Sequence, residues 1–435
     1  MEQGIGKKRS YYYVVIVAVC VLMMAMGTQA SSGFSLMLKS IRDTAGLNGT
    51  QTSSIISVKN LSAFILVFFA DKYFGKLGMR LGITFALLAG LLAYIVFAFA
   101  GTSLAIYYVA GIILGGAYAY CMALPMALLM RTWFNKFRPL AMSICAAGTG
   151  LSTFVLSKVV QRTINEKGIN SAFYLMAILF AATAVICFLF IRNKPEDVGL
   201  EICGGEDWVD EKKLAKDAEK ANKPAIAKTS KKAVWIFLGA TILVGLYAAP
   251  SQQHFVIHFN DLGYDSMMVA TAYSYVGLVG MIAKPTFGVL STRIKYSVLC
   301  CVFLGVRVLA LAFCFFGASM GLISWIPFVV CMAYAFGAPT TQLGYTNWMA
   351  DFCTKEDYAK KVKNAQFCYQ GAEILGAMIP GVIFDLTGHY TGYFGLASVL
   401  ALIVVVVVAV MYMSRKKIMA QAEAEVAAEA AAAGN

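Results

Sequence analysis

The sequence has few charged residues: 14% of its 435 residues are Asp, Glu, Lys or Arg, whereas 60% are hydrophobic. A soluble protein needs a polar surface, so this composition excludes a soluble multidomain protein. None of the eleven cysteines forms a C-x-x-C pair, which argues against a zinc site or a disulfide framework. The sequence also lacks a nucleophile motif, a metal-ligand box and a cofactor motif, so an enzyme, a metal and a cofactor are not expected.

The glycine-rich segment 111–116 lacks the lysine and hydroxyl of a phosphate-binding loop and lies inside an apolar run. It therefore predicts close contacts between helices. The net charge of +13 could indicate nucleic acid or an anionic partner, but the cations lie between apolar runs. We interpret them as a signal of membrane topology and expect no nucleic-acid partner.

Long apolar runs are abundant, and runs of about 20 residues are long enough to cross a bilayer as helices. The sequence predicts an all-α membrane protein with twelve transmembrane helices. The spans are expected at 11–33, 52–71, 79–100, 103–130, 139–160, 171–191, 233–256, 266–291, 296–317, 321–348, 363–385 and 392–413.

The cations set the orientation, because cytoplasmic loops are rich in Lys and Arg. With both termini inside, 28 of the 36 Lys and Arg residues lie on the cytoplasmic side. The predicted parts are a six-helix bundle at 1–191, a cytoplasmic linker at 192–232, a second bundle at 233–414 and a cytoplasmic tail at 415–435. A weak repeat between residues 67–72 and 288–293 supports two corresponding halves, with a substrate site between them near the midplane.

Five motifs carry a family resemblance. They are 71–80 (DKYFGKLGMR), 133–150 (WFNKFRPLAMSICAAGTG), 192–200 (RNKPEDVGL), 284–288 (KPTFG) and 380–390 (PGVIFDLTGHY). The first resembles the cytoplasmic signature of the major facilitator superfamily, in which Asp71 and Arg80 are expected in gating or an ion pair. The others resemble the monocarboxylate transporters and their oxalate/formate antiporter relatives.

The resemblance implies that Lys284, in the eighth span, binds the substrate carboxylate at a position where the family usually has arginine. A cation held inside a span also attracts an anion better than a surface cation does. A structural ion pair and snorkelling to the inner surface are the alternatives for Lys284.

Glu373 is the only acid well inside a span, and the rise per residue puts it at about 15 Å from the inner end, against about 12 Å for Lys284. It could neutralise Lys284, carry a coupling proton or contact substrate. The oxalate/formate branch has a lysine near this point, and the monocarboxylate transporters have an aspartate where Gly280 lies. If transport is coupled to protons, the residue that carries the proton is therefore at another position than this aspartate.

Two further cations lie within spans. Lys59 could reach towards Glu373 and close the outer side, or it could snorkel outwards. Arg307 is expected in a structural ion pair more than in substrate contact. Three cations against one acid leave an excess of positive charge, which favours an anionic substrate over a cationic drug.

Uncharged polar residues within spans are weaker candidates for substrate binding, since helix packing or an interhelical hydrogen bond is the alternative for each. These candidates are Gln29, Ser32, Tyr118, Tyr120, Tyr247, Gln252, Asn347, Tyr369 and Gln370. His254 and His258 lie four residues apart near Asp261, for which we considered a metal site, an external pH effect and an interfacial rim.

The sequence thus predicts a secondary active transporter of small organic anions, monocarboxylates in particular, with proton symport or anion exchange. An exporter of hydrophobic compounds and a non-transporting membrane sensor are the alternatives. The expected partners are the substrate anion, protons or a counter-anion, and the lipid bilayer. A monomer is expected as the functional unit, in the plasma membrane and more specifically in a bacterial inner membrane.

Overall fold

A computed structural model describes residues 11–27, 32–135, 137–204, 229–291, 293–422 and 424, without the side chains at 139, 342, 343 and 355. Gln29, most of the predicted linker and the end of the predicted tail lie outside these residues. Within them the chain is helical, with one isolated bridge between Phe134 and Cys203 and no β-strand.

Eight helices precede the linker. They are α1 (Tyr11–Ala25), α2 (Gly33–Ala45), α3 (Gly49–Val67), α4 (Ala70–Ala98), α5 (Leu104–Cys121), α6 (Ala123–Trp133), α7 (Arg138–Lys167) and α8 (Ile169–Phe190). A 3₁₀ turn follows at Pro195–Val198. Eight more helices come after the linker: α9 (Lys231–Asp261), α10 (Ser266–Leu290), α11 (Tyr296–Gly317), α12 (Ile326–Phe336), α13 (Ala338–Phe352), α14 (Lys355–Gly376), α15 (Ile379–Thr387) and α16 (Thr391–Met413).

The helices follow the predicted spans closely, since long apolar runs determine where a helix can cross lipid. Among the described residues, nine helical segments are long and apolar enough to do so, and α1 and α12 are apolar but shorter. Helix α3 is not one of the nine, because hydroxyl and amide side chains and Lys59 lower its mean hydropathy. The all-helical membrane fold is confirmed, and the count of twelve spans stays a prediction.

Breaks interrupt the helices in two ways. Gly78, which lies between the predicted second and third spans, interrupts α4 with φ 71° and ψ 172°, a conformation that favours glycine. Two predicted spans also contain breaks that the apolar pattern did not reveal. Pro339 and Pro380 lie in the first turns of α13 and α15, where the missing N–H of proline costs no helical hydrogen bond. The predicted tenth and eleventh spans are therefore each two helices.

The chain forms two compact units. The first comprises 1–210, 252–281 and 378–389, so it includes the C-terminal end of α9, the first part of α10 and all of α15. In this unit α4 packs against α5 and α8, α1 packs against α7, and α15 packs against α3. The second unit comprises 211–251, 282–377 and 390–435, and its α11 packs against α12 and α16. The predicted division into two six-helix bundles stays a prediction.

Glycine permits close helix contacts in the first unit, and Gly115 belongs to the segment 111–116 that predicted them. A Cβ added at Gly115 would lie 2.3 Å from the Lys59 carbonyl oxygen, and one at Gly277 would lie 2.3 Å from the Gly150 carbonyl oxygen. Real side chains do not approach backbone so closely, so only glycine lets these backbones meet.

Candidate functional site

Lys284 lies in the last part of α10, one residue before Pro285, and its side chain is exposed. No hydrogen bond or ion pair joins it to another residue in the part of the chain that the structure describes. The structural ion pair considered for Lys284 is therefore not present among these residues. An ammonium without a protein partner is available to an anionic ligand.

Glu373 lies half-buried on α14, where this helix crosses α9. A Cβ at Gly245 would lie 2.5 Å from the Tyr369 carbonyl oxygen and 3.2 Å from the Glu373 nitrogen, and one at Gly376 would lie 2.7 Å from the Leu246 carbonyl oxygen. These two glycines hold the α14 backbone directly against α9 and so fix the rotational position of Glu373.

The structure records no ion pair between Glu373 and Lys284, so the roles considered for Glu373 stay predictions. Three other candidates belong to the same unit. Tyr369 is half-buried and stacks on Tyr345 with 6.1 Å between ring centroids, and Gln370 is half-buried beside it. Asn347 is half-buried on α13.

Arg307 on α11 is buried, with 3% of its surface exposed, and its partners are all neutral. One guanidinium nitrogen donates to the Thr341 hydroxyl at 2.9 Å and the other to the Ala248 carbonyl at 3.3 Å. The guanidinium carbon lies 3.7 Å from the centroid of the Tyr334 ring. The predicted ion pair is not found among the described residues, because cation–π and neutral hydrogen bonds hold this cation instead.

Tyr247 belongs to the same cluster and is fully buried, with the Arg307 guanidinium 5.8 Å from its ring centroid. Its hydroxyl has no hydrogen-bond partner among the described residues. Full burial and the contact with Arg307 make Tyr247 a packing residue of the second unit in this structure.

Lys59 on α3 is 4% exposed, and its ammonium lies 5.3 Å from the centroid of the half-buried Tyr118 ring. It lines a narrow space with Phe34, Ser35, Ile56 and Gln253, and this space does not admit a water molecule. The interpretation that Lys59 snorkels outwards is wrong, because its burial keeps the ammonium from solvent and the Tyr118 face stabilises it there.

Of the candidates on the side predicted to be cytoplasmic, Arg80 and Tyr120 contact neighbouring helices, whereas Asp71 is exposed. Arg80 donates from Nε to the Phe188 carbonyl at 2.7 Å and stacks on the Phe188 ring, so it joins α4 to the end of α8. Asp71 is exposed in the first turn of α4, and no ion pair with it is recorded among the described residues. Tyr120 stacks on Tyr73 at 4.1 Å and donates to the Leu66 carbonyl at 2.9 Å.

A polar network joins α2 and α3 to α9 and α15 on the side predicted to face outwards. Arg42 donates two hydrogen bonds to Asp261, at 2.6 and 2.8 Å, and Lys39 lies 3.2 Å from the same carboxylate. The Asp385 carboxylate accepts from the backbone N–H groups of Gly49 at 2.6 Å and Thr50 at 2.9 Å. A carboxylate is favoured there because the first N–H groups of a helix lack helical partners.

The two histidines of α9 are buried, so their interpretation as an interfacial rim is wrong. His254 Nε2 lies 2.9 Å from the Ser53 hydroxyl, and this bond ties α9 to α3. No group of three possible metal ligands occurs among the residues that the structure describes.

Sequence reasoning missed this outer network, although its charges were visible. Lys39 and Arg42 follow one predicted span and Asp261 follows another, so both sets lie at outer helix ends. The opposite charges of these residues at the same predicted depth were the signal that could have identified the contact of Lys39 and Arg42 with Asp261. Ser32, also a weak candidate, is buried next to the start of α2, and Gln252 is half-buried on α9.

Replacing Asp261 with asparagine should destabilise the protein by about 2 kcal/mol, because it leaves the partly buried Arg42 without its bidentate partner. Both side chains are largely covered, with 11% and 14% of their surfaces exposed. A thermal unfolding curve of the purified protein measures this. Glu166→Gln is the matched control, since its ion pair with Arg162 is exposed and should leave the melting temperature unchanged. Equal shifts for the two variants would contradict a structural role for the Arg42–Asp261 pair.

Comparison with known proteins decides the family. A family model described as Major Facilitator Superfamily matches residues 15–360 of the chain. The chain belongs to the Major Facilitator Superfamily.

Curated relatives of this superfamily member confirm the resemblance to the monocarboxylate transporters. It is 23% identical over 304 residues to monocarboxylate transporter 12 of Xenopus laevis, covering 67% of the chain and 65% of that protein. The chain thus spans slightly less than two thirds of this relative. It is 22% identical over 327 residues to monocarboxylate transporter 13 of Rattus norvegicus, covering 75% and 72%.

Solved structures show the same major facilitator fold. The nucleoside transporter NupG matches with a TM-score of 0.68 and 12% identity, covering 92% of the chain and 99% of that protein. The xylose transporter XylE from E. coli matches with a TM-score of 0.66 and 9% identity, covering 93% and 98%. At these identities the similarity concerns the fold alone.

Proposed function

We propose that this transporter of the major facilitator superfamily carries small organic anions, monocarboxylates in particular, by alternating access with proton symport or anion exchange. The observation that supports this most is Lys284, an exposed lysine within an apolar helix and without an acidic partner among the described residues. Such a cation is costly in a membrane unless water or a ligand solvates it, and a carboxylate supplies both charge and hydrogen-bond acceptors.

Two further observations favour an anion. The relatives are named monocarboxylate transporters. The buried Arg307 adds a positive charge to the same unit, and its described partners are neutral. A negatively charged ligand balances this excess, whereas a lipophilic cation would increase it.

We propose Lys284 as the carboxylate-binding residue and Glu373 as the proton carrier or counter-ion, with Tyr369, Gln370 and Asn347 as polar contacts. Tyr118, Tyr120 and Tyr247 have ring or packing partners that account for them. We further propose a monomer as the functional unit, in the plasma membrane and specifically in a bacterial inner membrane.

The test is transport by the purified protein in liposomes loaded with labelled carboxylates. Counterflow against an unlabelled carboxylate reports exchange, and uptake driven by an imposed pH gradient reports symport. Flux of lipophilic cations without carboxylate flux would favour the hydrophobic-compound exporter. The absence of any flux would favour the membrane sensor.

Glu373→Gln should reduce accumulation driven by a pH gradient at least tenfold while counterflow continues, because glutamine has the shape of a protonated glutamate but cannot release the proton. Accumulation driven by the pH gradient and counterflow are both measured on the same liposome preparation. Glu356→Gln, an exposed acid in the first turn of the same helix, is the matched control. Unchanged pH-driven accumulation in Glu373→Gln would exclude the proton-carrier role.

A further inference from the structure

A polar cavity of about 230 Å³ lies at the outward-predicted ends of α2 and α7, beside the turn between α9 and α10. Its polar lining includes Lys39, Ser40, Asp43, Gln161, Asn165, Asn260 and Ser266. Asp43 is exposed at its rim, whereas Gln161 is 4% exposed. Neither Lys284 nor Glu373 lines this cavity.

Two amide oxygens in this lining lack hydrogen bonds. Gln161 Oε1 and Asn260 Oδ1 are buried, and neither has a partner among the described residues. Other polar groups of these residues are engaged: Gln161 Nε2 donates to Asn165 Oδ1 at 2.9 Å, and the Asn260 backbone carbonyl accepts from Lys39 at 2.9 Å. A buried acceptor without a hydrogen bond is unfavourable, so the two oxygens favour an occupant that donates hydrogen bonds.

The charges of the lining restrict the occupant further. The Lys39 ammonium disfavours a cation, and the Asp43 carboxylate at the rim disfavours an anion. Each charge has a protein partner, since Lys39 lies 3.2 Å from Asp261 and Asp43 accepts from Arg42 Nε at 3.1 Å. The occupant must therefore donate hydrogen bonds and carry no net charge. A neutral molecule with hydroxyl groups meets both requirements, and the volume of the cavity limits it to a small molecule.

We propose that this cavity is a second binding site, open to the outer side, for a small neutral polyol. The hydroxyl groups donate to Gln161 Oε1 and Asn260 Oδ1. Its occupant contacts Asn260, the residue before Asp261, so it stabilises the arrangement in which Asp261 pairs with Arg42 and Lys39. This site depends on no assumption about the transported anion.

The test is protection of a cysteine in the cavity. Ser40→Cys in intact cells is modified by a membrane-impermeant maleimide, with the unsubstituted protein as the measure of background from the native cysteines. Glycerol or erythritol should slow modification at least fivefold. Ser319→Cys, exposed in a loop also predicted to face outwards and not part of the cavity lining, should be modified at an unchanged rate.

Two further variants test the acceptors. In the Ser40→Cys background, Gln161→Met and Asn260→Leu should each abolish protection while the modification rate without polyol stays the same, which verifies that the variants fold. Protection that persists in both variants would overturn the proposal. So would an equal slowing at Ser319→Cys, no protection by either polyol, or equal protection by acetate or tetramethylammonium.

Discussion

Lys284→Gln should lower carboxylate counterflow by a factor of about ten to one hundred, because the variant loses a charge-assisted hydrogen bond worth about 1.5 to 3 kcal/mol. The exposed position of Lys284 and the absence of a described protein partner mean that no internal ion pair is lost with it. The effect should therefore appear in transport and leave the melting temperature nearly unchanged.

Two comparisons make this result specific. Lys284→Arg keeps the charge and should retain substantial counterflow, with altered preference among carboxylates because the planar guanidinium binds them in a bidentate manner. Lys295→Gln makes the same change at an exposed lysine just before α11 and should transport normally. If Lys284→Gln carries every carboxylate as well as the unsubstituted protein, Lys284 is not the carboxylate-binding residue.

Lys284 and Arg307 differ in their surroundings, and this difference explains why the sequence described the partners of Arg307 wrongly. Both appear in the sequence as single charges in apolar runs. The partners of Arg307 come from α9, α12 and α13, at distant positions in the chain, and two of them are a backbone carbonyl and an aromatic face. Neutral partners leave no charge pattern in the sequence. The sequence therefore predicts an acidic partner for Arg307, whereas the structure has neutral groups there.

The helix boundaries could be predicted because the length of an apolar run is a local property. The break between α12 and α13 depends on a single proline, and the apolar pattern continues across it. The polar character of α3 could also be predicted, because six of its residues between 50 and 57 are Thr, Gln or Ser. Its partners Tyr108, His254 and Asp385 could not be predicted, because they come from three other helices.

Gly381→Ala should destabilise the contact between α15 and α3 by about 2 kcal/mol or more, because the added methyl group overpacks a contact made by two backbones. Its Cβ would lie 2.2 Å from the Gly49 carbonyl oxygen and 2.6 Å from the Ser53 hydroxyl. Backbone atoms cannot rotate away as a flexible side chain can, so the two helices must separate. Their separation also weakens the Asp385 hydrogen bonds to Gly49 and Thr50.

The expected result is a lower melting temperature and faster modification of Ser53→Cys by an impermeant maleimide, since Ser53 is completely buried in this contact. Gly239→Ala is the matched control: it also adds a methyl group to a helical glycine, but nothing lies within 4 Å of the added atom. Alanine stabilises a helix relative to glycine by up to about 1 kcal/mol, so the control should melt at the same or a higher temperature. If Gly381→Ala behaves like the control, the close backbone contact between α3 and α15 does not contribute to stability.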